Sequence, residues 1–471
     1  MKKSFTASIS LIAILVFACM VCAGEEAAVR FPETSAGKRA ESYFSAFNSN
    51  NENEMRTYLE QNIAPSTLKE RPIEERMAVY RQLKSDLETL EPVKILKEST
   101  DAIKLVARSS KESWLELVFE FEKSAPYKLL SIRIMRLDEP PDLIAPTTPI
   151  TEAEMLKELE NFMEGISLED EFSGVVLLAK GEKPIFRKAY GLASKEYNIP
   201  NRVDTRFNLG SINKFITRIA IEQLEGKGEL RFEDPIKKHL PDYPNKEAVD
   251  KVTIRHLLDM TSGIGDFFGE RYQSTPKDRI RTLTDYLLLF GDEPLLFEPG
   301  TNRQYSNGGY IVLGLIIEKV SGQTYFDYVR DHIYKIAGMG NTAHLEADVP
   351  AENVASGYTN NWDENDHPGE PRRNNIYTRP ARGSSAGGGY STVDDLLKLV
   401  VSLKKNELSA TKTSEEINQH SIAIAGGAPG INAIVETDPE TGYVIIVLSN
   451  YDPPVVDKVA RKINSFLRRL K

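Results

Sequence analysis

The sequence predicts an α+β protein: an antiparallel sheet with a helical region, preceded by a small α+β unit. Three observations predict it. Two strand-hairpin patterns, Phe172–Tyr190 and Ile431–Leu448, stand far apart in the chain with mostly helical patterns between them. Four prolines crowd Leu137–Pro149, so residues 138–150 read as a linker rather than a packed element. Ahead of that linker, helical patterns come first and alternating strands follow, the order of a separate α+β unit. A chain of 471 residues is long enough for two or three domains at about 150 residues each.

Taken in order, residues 1–23 read as a secretory signal peptide. Lys2 and Lys3 form a positive start, and the apolar run Ile9–Cys22 is too short to span a bilayer as an ordinary helix. Val21-Cys22-Ala23 suits signal peptidase and leaves Gly24 as the new N-terminus. The alternatives are lipidation at Cys19 after Val16-Phe-Ala18, and an uncleaved anchor. The only cysteines are Cys19 and Cys22, so a chain cut after Ala23 has none, which suits a periplasmic or secreted location.

Residues 31–137 carry periodicities for helices at 35–48, 52–62 and 66–90. Strands follow at 92–99, 102–109, 113–122 and 127–136. Trp114-Leu-Glu-Leu-Val-Phe-Glu-Phe121 alternates most clearly. Three helices followed by a meander resemble the cone-shaped fold of SnoaL-like domains. No catalytic cluster is visible there, so an accessory role is expected. Residues 151–471 form the second region. Thr151-Glu-Ala-Glu154 is a capping box that opens a helix. The first hairpin turns at Lys180–Lys183 and the second at Pro439–Gly442, and Pro453–Leu470 is an amphipathic helix.

Composition narrows the function. With 59 Lys+Arg against 69 Asp+Glu the formal charge is −10, which argues against a nucleic-acid backbone binder. Two cysteines exclude a disulfide scaffold. The six histidines show no HxH or HxxxH spacing, so no local zinc site, and no metal or cofactor, is expected.

Ser-x-x-Lys occurs six times, at Ser35, Ser66, Ser211, Ser274, Ser402 and Ser409. Only Ser211 follows an extended stretch closed by glycine, Thr205–Gly210, and opens a helical run, Ile212–Leu224. A serine there sits beside unpaired N–H groups and the positive end of the helix dipole, which favour a developing oxyanion. Lys214 is on the same helix face and, if partly buried, loses its proton near neutrality. Of the Tyr-x-Asn triplets at Tyr243, Tyr305 and Tyr358, only Tyr305-Ser-Asn307 follows a tight turn, Phe297–Gly300, and precedes an apolar helix. Tyrosine adds a proton-transfer group and asparagine an amide that can hold a carbonyl.

Together these residues resemble the serine β-lactamase and penicillin-binding-protein superfamily, closest to its class C β-lactamase-related branch. Val252–Leu258, Thr261-Ser-Gly263 and Ala386–Leu396 add to the likeness. The resemblance implies Ser211 as nucleophile, Lys214 as its activating partner, Tyr305 as general acid and base, and Asn307 as a substrate- or lysine-positioning amide. The third motif departs from the family. Ala423–Gly430 stands where relatives carry Lys-Thr-Gly or His-Ser/Thr-Gly, so Ile424 takes the cation position and Ala425 the hydroxyl position. Gly426 and Gly427 remain, and Gly427 N–H can pair with Ser211 N–H as an oxyanion hole. Met260 stands where relatives often have histidine.

The expected function is a secreted serine hydrolase that acylates on Ser211 and acts on an ester, amide or D-amino-acid peptide. The alternatives are a peptidoglycan D,D-carboxypeptidase, a weak β-lactamase, or a degenerate binder. The expected partner is a small-molecule or peptide substrate, with cell-envelope association. Ile424 cannot hold a carboxylate, so uncharged esters are expected to be preferred unless Arg379 or Arg382 reaches in. His420 reads as an ordinary strand-side residue.

Overall fold

The structure, a computed structural model, describes residues 29–99, 101–111, 113–137, 148–362, 367 and 370–470. The expected signal segment with Cys19 and Cys22, and most of the stretch expected as a proline-rich linker, lie outside these residues. The chain divides into two compact units between Pro146 and Thr147.

In the first unit, helices α1 (Ser35–Asn48), α2 (Glu52–Asn62), α3 (Pro65–Glu70) and α4 (Ile73–Leu87) precede four strands. These are β1 (Leu90–Glu98), β2 (Ala102–Ser109), β3 (Trp114–Phe121) and β4 (Leu129–Leu137), an antiparallel meander in chain order. Thr34 caps α1 by accepting from Gly37 N. Alternation in β3 buries Leu115, Leu117, Phe119 and Phe121 against Tyr43, Phe44 and Phe47 of α1. The single helix expected over 66–90 is instead two. Pro72 has no N–H to donate and disfavours the helical conformation at Arg71, so α3 ends and α4 starts afresh.

The second unit is built on a five-stranded antiparallel sheet. Its strands are β5 (Gly174–Lys180), β6 (Lys183–Tyr190), β7 (Ile422–Ala428), β8 (Ile431–Thr437) and β9 (Tyr443–Ser449), in the order β7-β8-β9-β5-β6. The two distant hairpins join through β9 and β5, Val447 opposite Val176. Helix α5 (Glu152–Leu168) starts at the Thr151–Glu154 capping box. The remaining long helices are α6 (Ile212–Gly226), α7 (Asn307–Ser321), α8 (Val393–Lys404) and α9 (Val455–Leu467).

Both faces of the sheet are covered, which explains why β5 and β9 are apolar at nearly every position. Val176 and Leu178 face α5 and α9, packing with Met155, Leu159, Val459 and Ile463. Val175 and Leu177 face the helical region, packing with Ile216, Ile219 and Leu399. The start of α6 therefore lies against the sheet, beside edge strand β7.

Candidate active site

Ser211 stands at the N-terminus of α6, directly after Gly210, whose φ of +50° is a left-handed conformation that a side chain would strain. The glycine also lets two other segments approach. A Cβ on Gly426 of β7 would stand 2.0 Å from Leu209 O and 2.8 Å from Ser211 N. The backbone of β7 thus lies directly against the turn that presents Ser211. Gly427 N is 3.0 Å from where a Cβ on Gly210 would be, so its N–H borders the same turn as Ser211 N. On the other side, Gly388 N donates to Gly210 O and Leu209 N donates to Gly389 O. Gly389 N donates to Asn213 Oδ1 at 2.7 Å.

Three side chains converge. Ser211 Oγ lies 2.6 Å from Tyr305 Oη. Lys214 Nζ donates to Ser211 Oγ at 3.2 Å, to Asn307 Oδ1 at 2.6 Å and to the Ala386 carbonyl at 2.5 Å. Asn307 opens α7, where Ser306 caps the helix by accepting from Gly309 N at 2.8 Å. Met260 has φ of +61°, and its sulfur accepts from Ser306 N at 3.4 Å, so this residue supports the turn before α7.

The electrostatics separate the two proton-transfer groups. Lys214 is 6% exposed, and burial pulls its ammonium down to about 7, opposed by the negative charge of Asp266. Near neutrality a large share of Lys214 is therefore neutral and able to accept a proton. Tyr305 is shifted upwards, chiefly by desolvation and in part by Asp266, against the hydrogen bond to Ser211. It stays a phenol at neutral pH, able to donate or to pass a proton between Ser211 Oγ and a bound group.

Sequence patterns did not reveal Asp266 or the Ala386 carbonyl. Asp266 Oδ2 accepts from Asn307 Nδ2 at 2.6 Å, which turns Asn307 Oδ1 towards Lys214. No spacing rule marks an aspartate three residues after Thr261-Ser-Gly263; the fold alone brings that loop to α7.

Ser211, Tyr305 and Asn307 open into a cavity of about 540 Å³. Phe267, Phe268, Tyr272 and Tyr286 form an aromatic wall, facing Gly427, Ala428 and Pro429 at the end of β7. Ser211, Lys214, Tyr305 and Asn307 lie together and Gly427 lines the cavity, with two corrections. Gly426, expected to bind substrate, does not line the cavity but turns to Leu209 O and Ser211 N, because alternation along β7 points it at α6. Ile424 does not meet the cavity: it packs against the helical core, on the face of β7 that Gly426 also turns to α6. Of the two arginines considered, Arg379 lines the cavity and Arg382 does not. His420 ends the helix Thr411–Gln419, exposed and away from the lining.

Comparison with known proteins agrees with this fold. A family model described as Beta-lactamase matches residues 159–422, more than half of the chain. Penicillin-binding protein 4* of Bacillus subtilis (strain 168) is 29% identical over 301 residues, which are 61% of this chain and 65% of that protein. The chain thus spans slightly less than two thirds of that relative. The crystal structure of a penicillin binding protein from Bacillus halodurans is 31% identical with a TM-score of 0.57, covering 64% of this chain and 98% of that one. A D-amino acid amidase from Ochrobactrum anthropi SV3 shares the fold, at 22% identity and a TM-score of 0.55, over 66% of this chain and 99% of that one.

Proposed function

Because this chain belongs to the beta-lactamase family, we propose that it is a serine hydrolase that forms an acyl-enzyme on Ser211. The observation that carries the reading is the convergence of Lys214 Nζ and Tyr305 Oη on Ser211 Oγ, with Lys214 brought to about 7. Neutral Lys214 takes the Ser211 proton, directly or through the Tyr305 hydroxyl, as Oγ attacks the substrate carbonyl carbon. The carbonyl oxygen becomes an oxyanion facing the N–H groups of Ser211 and Gly427. The tetrahedral intermediate collapses, the bond to the leaving oxygen or nitrogen breaks, and that atom receives a proton from Tyr305, which Lys214 resupplies. Water then attacks the acyl ester, giving up its proton along the same path, and releases the acid and Ser211.

The substrate class is an ester, amide or D-amino-acid peptide. The names of the relatives favour a penicillin-reactive site among these. The intact proton-transfer set favours an enzyme over a degenerate binder. The proposal includes export with cleavage after Ala23, supported by the composition of residues 1–23.

Mass spectrometry after incubation with a fluorophosphonate, and separately with a penicillin, tests the reading. A single adduct on Ser211 is expected, absent in Ser211→Ala and retained in Ser35→Ala and Ser66→Ala. Full-rate labelling of Ser211→Ala would remove the proposal. An adduct from the fluorophosphonate alone identifies an esterase-like site.

A further inference from the structure

The strand beside Ser211 brings no cation to the cavity, yet the cavity has one. Among the described lining residues Arg379 is the only one with a formal charge, and no aspartate or glutamate faces it. Four arginines lie in residues 372–382, and three are engaged elsewhere. Arg372 lies 3.3 Å from Asp170 Oδ2 and 4.0 Å over the Tyr451 ring. Arg373 stacks 3.9 Å over Trp362. Arg382 is 3.6 Å from Glu346 Oε1 and 3.7 Å over Phe326. Arg379, half-buried, has no hydrogen-bond, ion-pair or ring partner among the described residues.

Its position is built. The segment that carries it is tied to the end of β7, because Asn375 Nδ2 donates to Pro429 O at 2.8 Å. It is tied to the aromatic wall as well, where Tyr272 Oη donates to Thr378 O at 3.1 Å. After Arg379, Ala381 N donates to Lys277 O at 2.9 Å. The backbone on either side of Arg379 is thus tied to the end of β7, to Tyr272 and to Lys277, and Arg379 lines the same cavity as Ser211. A guanidinium without a partner, in a cavity that aromatic rings also line, is complementary to a planar anion, which it can bind with two parallel hydrogen bonds.

We propose that Arg379 is a specificity-determining residue that holds a carboxylate of the substrate, taking over from a different loop the anchoring that Ile424 cannot perform. The inference rests on the serine hydrolase reading for its reaction, though not for its binding step. The substrate is a carboxylate-bearing ester or amide whose apolar body lies along Phe267, Phe268 and Tyr272. The carboxylate belongs either to the acyl part or to the leaving group, as at the C-terminus of a peptide.

Paired substrates test this. For the acyl side the pair is mono-p-nitrophenyl glutarate and p-nitrophenyl valerate. For the leaving-group side it is an acyl-D-alanyl-D-lactate and its methyl ester. In the protein as it stands, kcat/KM is expected to favour the charged member of one pair by tenfold or more. That ratio should fall at least tenfold in Arg379→Gln, recover partly in Arg379→Lys, and persist in Arg382→Gln; the responding pair identifies the side. An unchanged ratio in Arg379→Gln of unaltered Tm would overturn the inference, as would a preference for the uncharged member of both pairs. If Ser211 takes no label and no ester is turned over, the reaction reading fails, and calorimetry decides the inference. Binding of 5-phenylvalerate over its methyl amide, lost in Arg379→Gln, would uphold it, and equal binding of the two would overturn it.

Discussion

Asp266 holds Asn307 by two groups at once: one carboxylate oxygen accepts from the Asn307 amide at 2.6 Å and from its backbone N–H at 3.3 Å. The amide oxygen is left with one direction, and Lys214 Nζ lies along it at 2.6 Å. A carboxylate one residue removed from the lysine thereby helps fix its position and partly offsets the effect of burial on its charge.

Asp266→Asn should separate these two effects. Removing the negative charge removes the influence that raises Lys214, so the acid limb of kcat/KM should move to lower pH. Loss of the charge-assisted hydrogen bond should lower kcat by roughly tenfold or more. A pH–rate profile measures the first and saturation kinetics the second. An acid limb that moves upward would refute the electrostatic assignment.

Lys214 itself gives a pH dependence with a defined sign. Its folded value of about 7 lies below the unfolded value of about 10.4. Between the two the unfolded chain holds a proton that the folded chain lacks, so this group makes stability rise with pH across that window. Below pH 7 both states are protonated and the cost of burying the ammonium is fully present. Activity should rise as pH increases through about 7. Lys214→Met should abolish turnover, and its stability relative to the parent should be most favourable near pH 6 and fall as pH rises from about 7 to about 10. Denaturant melts across that range measure it.

Gly426 tests the close approach at the nucleophile. An added methyl would meet Leu209 O at 2.0 Å, a backbone atom that cannot step aside as a side chain can. Gly426→Ala should cost roughly 1–3 kcal/mol of stability and displace the turn carrying Ser211, with at least a tenfold loss in kcat/KM. At Gly427 the nearest atom is Pro453 Cγ at 2.7 Å, part of a side chain, so Gly427→Ala should cost less. Equal effects of the two substitutions on melting temperature would refute the argument.

The parts of the site that sequence reveals are those written in local patterns. Ser211 and Lys214 share one helix face, and Tyr305 and Asn307 share one turn, so spacing alone brings each pair together. The parts that stayed hidden depend on register or on loops. Ile424 visibly brings no cation, but its direction follows from strand alternation, which places it with Gly426 towards α6. Arg379 and Arg382 are three residues apart in a loop without period, and only the ties to Pro429 and Tyr272 distinguish them. In the first unit Pro72 was in plain view, yet the helical period on either side of it outweighed the break. The sheet was legible for the opposite reason, since two apolar strands flanking each turn leave little else to form.

The second unit should fold and work without the first. Its sheet draws strands only from residues after Thr147, and both faces are closed by its own helices. Its start is fastened within the unit: Ile150 pairs with Leu470, and Arg469 holds Glu158 of α5 at 2.6 Å. The start of α6, the turn before α7 and the Ser384–Gly389 stretch that position Ser211 all come from the same residues. A protein beginning at Thr147 should therefore melt cooperatively and keep the fluorophosphonate labelling of Ser211 within about threefold of the full chain's rate, since domains joined by a linker are usually independent folding units. An insoluble product, or one that melts without cooperativity, would mean that the first unit completes the core of the second.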